Sequence, residues 1–235
     1  MRTNIFYSYL IFDEIAHVKE TTILDFPLIN VISDLKKIGF DEKYLQCPAV
    51  ADHLKNTFVI KAPFNFEIQI DPNSKLPLIP PQGQREKLTI TPRNIKYHLY
   101  NMHYGLYPFS STSIELSQLQ ANYHINDFTR NATVVGGKFN INKWYRPLIP
   151  TFILHKPKIR INRGDALYYV KFHSNKKVKL KNYILNQELR ELSKKCLRLK
   201  KYQTGLGLET MYKLFTNNRL DKKILKEINN NLTDL

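Results

Sequence analysis

The sequence predicts a mainly β fold, an antiparallel β-sandwich of jelly-roll or related type, with short N-terminal helices and a basic helical C-terminal appendage. Three observations point there. In the run from Phe64 to Ile70, Phe64, Phe66, Ile68 and Ile70 alternate with Asn65, Glu67 and Gln69, the period of a half-buried strand. The twelve prolines and eight glycines are scattered along the chain, which suits many short strands joined by turns better than a helical bundle. Beyond about residue 180 the pattern changes to helical spacing dense in Lys and Arg. The division read from this shift is a β-rich core domain over residues 1–180 and a basic helical appendage over 181–235.

The elements follow in order. Residues 4–12, aromatic and β-branched, read as a buried strand. Leu28, Val31, Ile32 and Leu35 have helical spacing, and Gly39 ends that helix; residues 48–56 add another helical turn or two. Residues 57–71 read as two strands around Pro63. The proline-rich run 71–86 reads as a loop through which no ladder passes, because proline removes donors and fixes φ. Strands resume at 87–91, 95–109 and 113–119. The tyrosines of 95–109 invite base stacking, but high strand propensity is the plainer reading.

The stretch 136–172 organises the rest. Gly136 and Gly137 permit a positive φ or a close backbone approach. Trp144, the only tryptophan, reads as a core anchor with Arg146 stacked or hydrogen-bonded over it, in preference to the alternative of a ligand site. Two strands follow in 151–161, and Arg163-Gly164-Asp165 reads as a tight turn between strands rather than an adhesion motif. Lys176, Lys177, Lys179 and Lys181 end the sheet. In 185–202, Leu185, Leu189, Leu192, Cys196 and Leu199 form an apolar stripe, with Arg190, Lys194, Lys195, Arg198, Lys200 and Lys201 around the remainder. Gly205 and Gly207 stop that helix, and two short helices close the chain.

A formal net charge of +16 points to polyanions as partners, although an AT-rich genome also enriches Lys, Asn and Ile. Cys47 and Cys196 fit neither a disulfide framework nor a metal pair and are expected as reduced thiols. Asp13 and Glu14 interrupt the first apolar run, so neither a signal peptide nor a membrane span is expected.

Chemistry-bearing motifs do not emerge. The seven histidines include no HExxH pair and lack cysteines at zinc spacing, so no metal or cofactor is expected. There is no phosphate-binding glycine loop and no GxSxG elbow, and Ser110 and Ser111 have no sequence context for a nucleophile.

Arg163-Gly164-Asp165-Ala166 resembles the last turn of dUTPase-type β folds. The acidic residue and the glycine-rich arm that such enzymes use are missing, with Gly136-Gly137-Lys138-Phe139 standing where the acid belongs. Residues 47–71 and 136–180, about a third of the chain, resemble an uncharacterised family of tailed marine phages, notably those infecting cyanobacteria. The resemblance is carried by Gly137, Lys138, Phe139, Lys143, Trp144, Tyr145, Arg146, Pro147 and the strand Leu167-Tyr168-Tyr169-Val170. It implies a phage-encoded protein, located in the host cytoplasm or the virion, and no particular activity.

The expectation is therefore a non-enzymatic phage protein that works by binding, as a virion or assembly component or an accessory factor in the infected cell, with phage proteins as partners and self-association open. One alternative is a sequence-tolerant nucleic-acid binder using Lys176, Lys177, Arg190, Lys194, Lys195, Arg198 and Lys201 on phosphates. A nucleotide-metabolism enzyme on a dUTPase-like scaffold is the other.

Overall fold

The strand-forming segments assemble into four sheets, none of them closed, in a computed structural model that describes residues 2–9, 28–78, 90–104, 106–202 and 208–233. The first part of the chain supplies β1 (Thr3–Tyr9), β2 (Ile29–Asn30), α1 (Val31–Lys37), α2 (Glu42–Gln46), α3 (Pro48–His53), β3 (Thr57–Lys61) and β4 (Phe66–Gln69). The middle supplies β5 (Ile90–Asn94), β6 (Leu99–Met102), β7 (Leu106–Ser110), β8 (Glu115–Leu119), α4 (Asp127–Asn131), β9 (Ala132–Val135) and β10 (Lys138–Asn140). Then come β11 (Thr151–Leu154), β12 (Lys158–Ile161), β13 (Ala166–His173) and β14 (Val178–Asn182), followed by α5 (Gln187–Tyr202), α6 (Leu208–Asn217) and α7 (Leu220–Asn230).

The sheets run in the orders β14-β1-β7, β10-β8-β13-β3-β2, β5-β6-β11-β9 and β12-β4. Their pairing is antiparallel except that β1 runs parallel to β14, with Thr3 opposite Val178 and Tyr7 opposite Asn182. All four sheets contribute to one apolar cluster, and the pleat decides which residues enter it. Along β13, Tyr168, Val170 and Phe172 point into this cluster, while Ala166 and Tyr169 join the second cluster formed with α1–α3. On β1, Ile5 and Tyr7 face the central cluster, whereas Phe6 faces the layer made by α5–α7. The N-terminal and C-terminal helices therefore cover the outer faces of two different sheets.

Several local expectations need correction. Residues 95–109 are not one strand. A 3-10 turn at Ile95–Tyr97 and a left-handed His98 (φ +53°) separate β5 from β6, and β7 joins β1 in another sheet. The Arg163-Gly164-Asp165 turn does not close a hairpin, because β12 pairs with β4 while β13 pairs with β3 and β8. It is a corner between sheets, made with Gly164 at φ +89° and pinned by its N–H donating to the Ala62 carbonyl at 2.8 Å. The lysine-rich run does not end the sheet but becomes β14, an edge strand.

The loop reading of 71–86 also changes where it is described. Ile70 bridges Pro77, and the Leu78 N–H donates to the Gln69 carbonyl, so a short ladder does form; residues 79–89 lie outside the described residues. Ile29 and Asn30 bridge β3 before α1 begins, and the Asn30 side chain caps it by accepting from the Ile32 and Ser33 N–H groups. Two short helices were not anticipated. α2 starts on an Asp41 cap, and α4 on a capping box in which Asn126 and Thr129 satisfy each other's backbone donors. Gly205 and Gly207, expected to stop α5, lie outside the described residues.

Trp144 is the anchor expected of it, at 7% exposure, but its partners are the helices. Its ring lies 6.0 Å from Phe215 and 6.4 Å from Tyr212, both on α6. Arg146 does not stack on it and instead sits 4.9 Å over Phe139. Trp144→Ala is expected to cost about 3–5 kcal/mol by opening a cavity against α6. Urea unfolding monitored by circular dichroism checks this, and a destabilisation below about 1 kcal/mol would show that the tryptophan does not hold the helical layer.

Candidate functional site

The stretch from Gly136 to Leu148 builds the site. Its glycines serve close approach rather than positive φ. A Cβ on Gly136 would stand 3.0 Å from the Gln118 carbonyl oxygen, and one on Gly137 would stand 2.9 Å from the Phe139 ring. β10 can thereby pair with β8, placing Phe139 opposite Leu116 and Lys138 opposite Ser117. After β10, the irregular segment 141–148 folds back over the Phe139 ring. Its anchors are Ile141 in the central cluster, Trp144 and Tyr145 in the helical one, and Leu148, whose N–H donates to the Leu106 carbonyl at 2.7 Å.

Between this segment and α6 lies a pocket of about 250 Å³. Lys138, Phe139, Trp144 and Arg146 line it together with Asn140, Met211 and Tyr212. Of the expected motif residues, Lys143 is exposed and Pro147 half-buried, and neither lines the pocket. Lys138 forms an ion pair with the half-exposed Glu115. Asn140 is used within the fold, its amide donating to Ser113 Oγ at 3.0 Å and its oxygen accepting from the Asn142 N–H at 3.1 Å. Arg146 is half-buried, and loss of solvent pushes its guanidinium below its usual value, partly offset by Tyr212. Among the described residues no carboxylate faces it within ion-pair distance.

The basic residues expected to meet phosphates fall in two places. Lys176 and Lys177 are exposed on the 174–177 turn, which Asn56 clamps from behind. The Asn56 amide donates to the Ser174 and Lys176 carbonyls at 2.9 Å, and its oxygen accepts from the Val178 N–H at 3.1 Å. Lys179 and Lys181 continue the line along β14, with Lys181 5.8 Å from the Phe6 ring. On α5, Lys194 and Lys195 are exposed, but Lys194 pairs with Glu191 at 2.9 Å. Arg190 is half-buried, and its Nε donates to the Leu185 carbonyl at 3.3 Å. The side chains of Arg198 and Lys201 lie outside the described residues.

A buried polar chain escaped the sequence reading. Asp34 on α1, at 2% exposure, accepts from Lys61 Nζ at 2.7 Å and stands 2.9 Å from His124 Nε2. His124 Nδ1 lies 2.6 Å from the hydroxyl of Tyr169, a residue only 2% exposed. Burial raises the Asp34 carboxyl, but hydrogen bonds and charge from His124 and Lys61 outweigh it and hold the group below its ordinary range. With Asp34 ionised, the His124 Nε2–H donates to it and the Tyr169 hydroxyl donates to Nδ1. Such a chain is able to pass a proton. With Asp34, His124 and Tyr169 all buried, the arrangement instead ties α1 to β3 and β13. The available signal was Asp34 three residues after Val31 on the apolar face of its helix, where a carboxylate must find partners.

Among the described residues no group of three His, Cys, Asp or Glu side chains could hold a metal ion, and no helix is long and apolar enough to cross a membrane. Cys47 is exposed and Cys196 buried, both free, and burial pushes the Cys196 thiol up to about 11. Compared with known proteins, the chain matches no family model, no curated protein and no solved structure.

Asp34→Asn is expected to cost about 3–5 kcal/mol, because it strands the ammonium of Lys61 beside a neutral amide. The depressed Asp34 value also makes its contribution complete above about pH 4 and lost as pH falls through the folded-state value. Chemical denaturation between pH 2 and 7 checks both points, with the variant expected to lack that acid-side component.

Proposed function

We propose that the protein is a non-enzymatic, phage-encoded binding protein of the host cytoplasm or virion, and that its main ligand is nucleic acid. The observation that carries this reading is the basic ridge on the β14 edge. Lys176 and Lys177 stand on a turn held by Asn56, and Lys179 and Lys181 alternate with Val178 and Leu180, which face the core. Charges held on a clamped edge pay less ordering entropy on meeting a phosphate backbone than lysines on a loose tail. Lysines on an edge strand also discourage pairing with another chain, a role compatible with binding. The net charge of +16 adds long-range attraction of the same sign.

A second reading, an assembly partner among phage proteins, is favoured by an exposed apolar group beside α2. Ile38, Tyr44 and Ile125 are 57%, 48% and 72% exposed, and Phe40 meets the rings of Tyr44 and Tyr123 edge to face. In fold terms, we read the sheets that share the central cluster as a sandwich of jelly-roll or related type.

Charge reversal separates the ridge from composition. Lys176→Glu with Lys177→Glu is expected to weaken binding to a labelled single strand and to lower the salt slope by about one for each phosphate left without its lysine. The same reversal at Lys194 and Lys195 tests α5. Unchanged affinity and slope in both variants would remove the reading.

A further inference from the structure

The pocket beside Arg146 contains a chemical imbalance that the fold does not resolve. A guanidinium is charged at any working pH, and half-burying one without an opposing charge or acceptor is unfavourable. Here the group lies 4.9 Å over the Phe139 ring, and among the described residues it has neither a carboxylate nor a hydrogen-bond acceptor. The ring contact offsets part of the cost and leaves the N–H fork to solvent, without a protein acceptor among the described residues. Among the described residues, the one other charged group on the pocket wall is a second cation, Lys138. Its partner Glu115 is not part of that wall.

We propose that this pocket is a binding site for a phosphate monoester carried on a ring, either a free mononucleotide or the phosphorylated end of a nucleic-acid strand, with Arg146 receiving the phosphate. A phosphate monoester near neutral pH carries about −1.5 to −2 charges, which suits a wall holding two cations and no acid. The planar fork of Arg146 matches two phosphate oxygens at once. Lys138 keeps ammonium hydrogens beyond those directed at Glu115. Phe139, Trp144, Met211 and Tyr212 supply an apolar and aromatic wall for the ring. A volume of about 250 Å³ is just under the usual lower limit of ~300 Å³ for small-molecule pockets, which restricts the occupant to a single monomer. The site is separate from the β14 ridge and does not require it.

The only tryptophan in the chain lines the pocket, so its fluorescence reports occupancy directly. The full chain is titrated with AMP, adenosine, inorganic phosphate, and an oligonucleotide with or without a 5′-phosphate. The expected result is a saturable change with AMP that adenosine does not give. Arg146→Gln should weaken it by about tenfold or more, the usual consequence of losing a charge-assisted bond. Arg146→Lys keeps the charge and stem but not the fork, guards against misfolding, and should weaken binding in the same direction. Preference for AMP identifies a free nucleotide as the source, and a response only to the 5′-phosphorylated strand identifies a strand end. No saturable change with any phosphorylated probe, equal saturable responses to AMP and adenosine, or full affinity in folded Arg146→Gln would each overturn the proposal. None of these outcomes bears on how the Lys176 and Lys177 variants bind an unphosphorylated strand, so the two readings fail separately.

Discussion

Trp144 and Tyr145 sit side by side on an irregular segment, yet both are buried, because each is claimed by part of the same helical layer. Trp144 packs on Phe215 and Tyr212 of α6. The Tyr145 hydroxyl lies 2.9 Å from that of Tyr183, whose own hydroxyl donates to the Tyr107 carbonyl at 2.8 Å. Both phenols are almost completely sealed from water, so each needs such a partner. The consequence is positional. The knot ties the 141–148 segment to β7 and to the end of β14, and it fixes where α6 lies. The pocket beside Arg146 exists only because α6 is held there, since Met211 and Tyr212 form one of its walls.

Electrostatics are distributed unevenly around this frame. The most buried acid among the described residues, Asp34, is consumed inside by Lys61 and His124 and offers nothing to the surface. Glu67 answers Lys158 and Arg160 across the β4–β12 pair, and Glu191 answers Lys194 on α5. The lysines of the 174–177 turn and β14 stand on an edge whose backbone is set by Asn56 (φ +53°). An L residue held in that conformation is uncommon, and here it is supported by three hydrogen bonds from one side chain.

Much of the strand content was legible because period-two patterning is local. Phe66, Ile68 and Ile70 are buried as their alternation requires, and Glu67 and Gln69 are not. The apolar stripe of α5 was equally readable, and Leu185, Leu189, Leu192 and Cys196 are all buried. Pairing partners were not legible. Nothing near Arg163-Gly164-Asp165 distinguishes a hairpin from a corner between sheets, because the choice depends on β4 and β3 about a hundred residues earlier. The same limit hid β14, whose lysines read as an ending until β1 supplied a parallel neighbour. For the site, the motif residues were visible as a group, but Arg146 was assigned to the wrong ring. Tyr212 and Met211 reach the pocket through the tertiary docking of α6, which leaves no mark near residue 146.

The most direct test of the central claim, that the basic edge is a nucleic-acid surface, is the affinity of the purified chain for labelled single- and double-stranded DNA and RNA at low and near-physiological salt. The account predicts micromolar or tighter binding that falls with salt yet persists at physiological ionic strength. Binding seen only at low salt, or none, would contradict it and reduce the positive charge to a matter of composition.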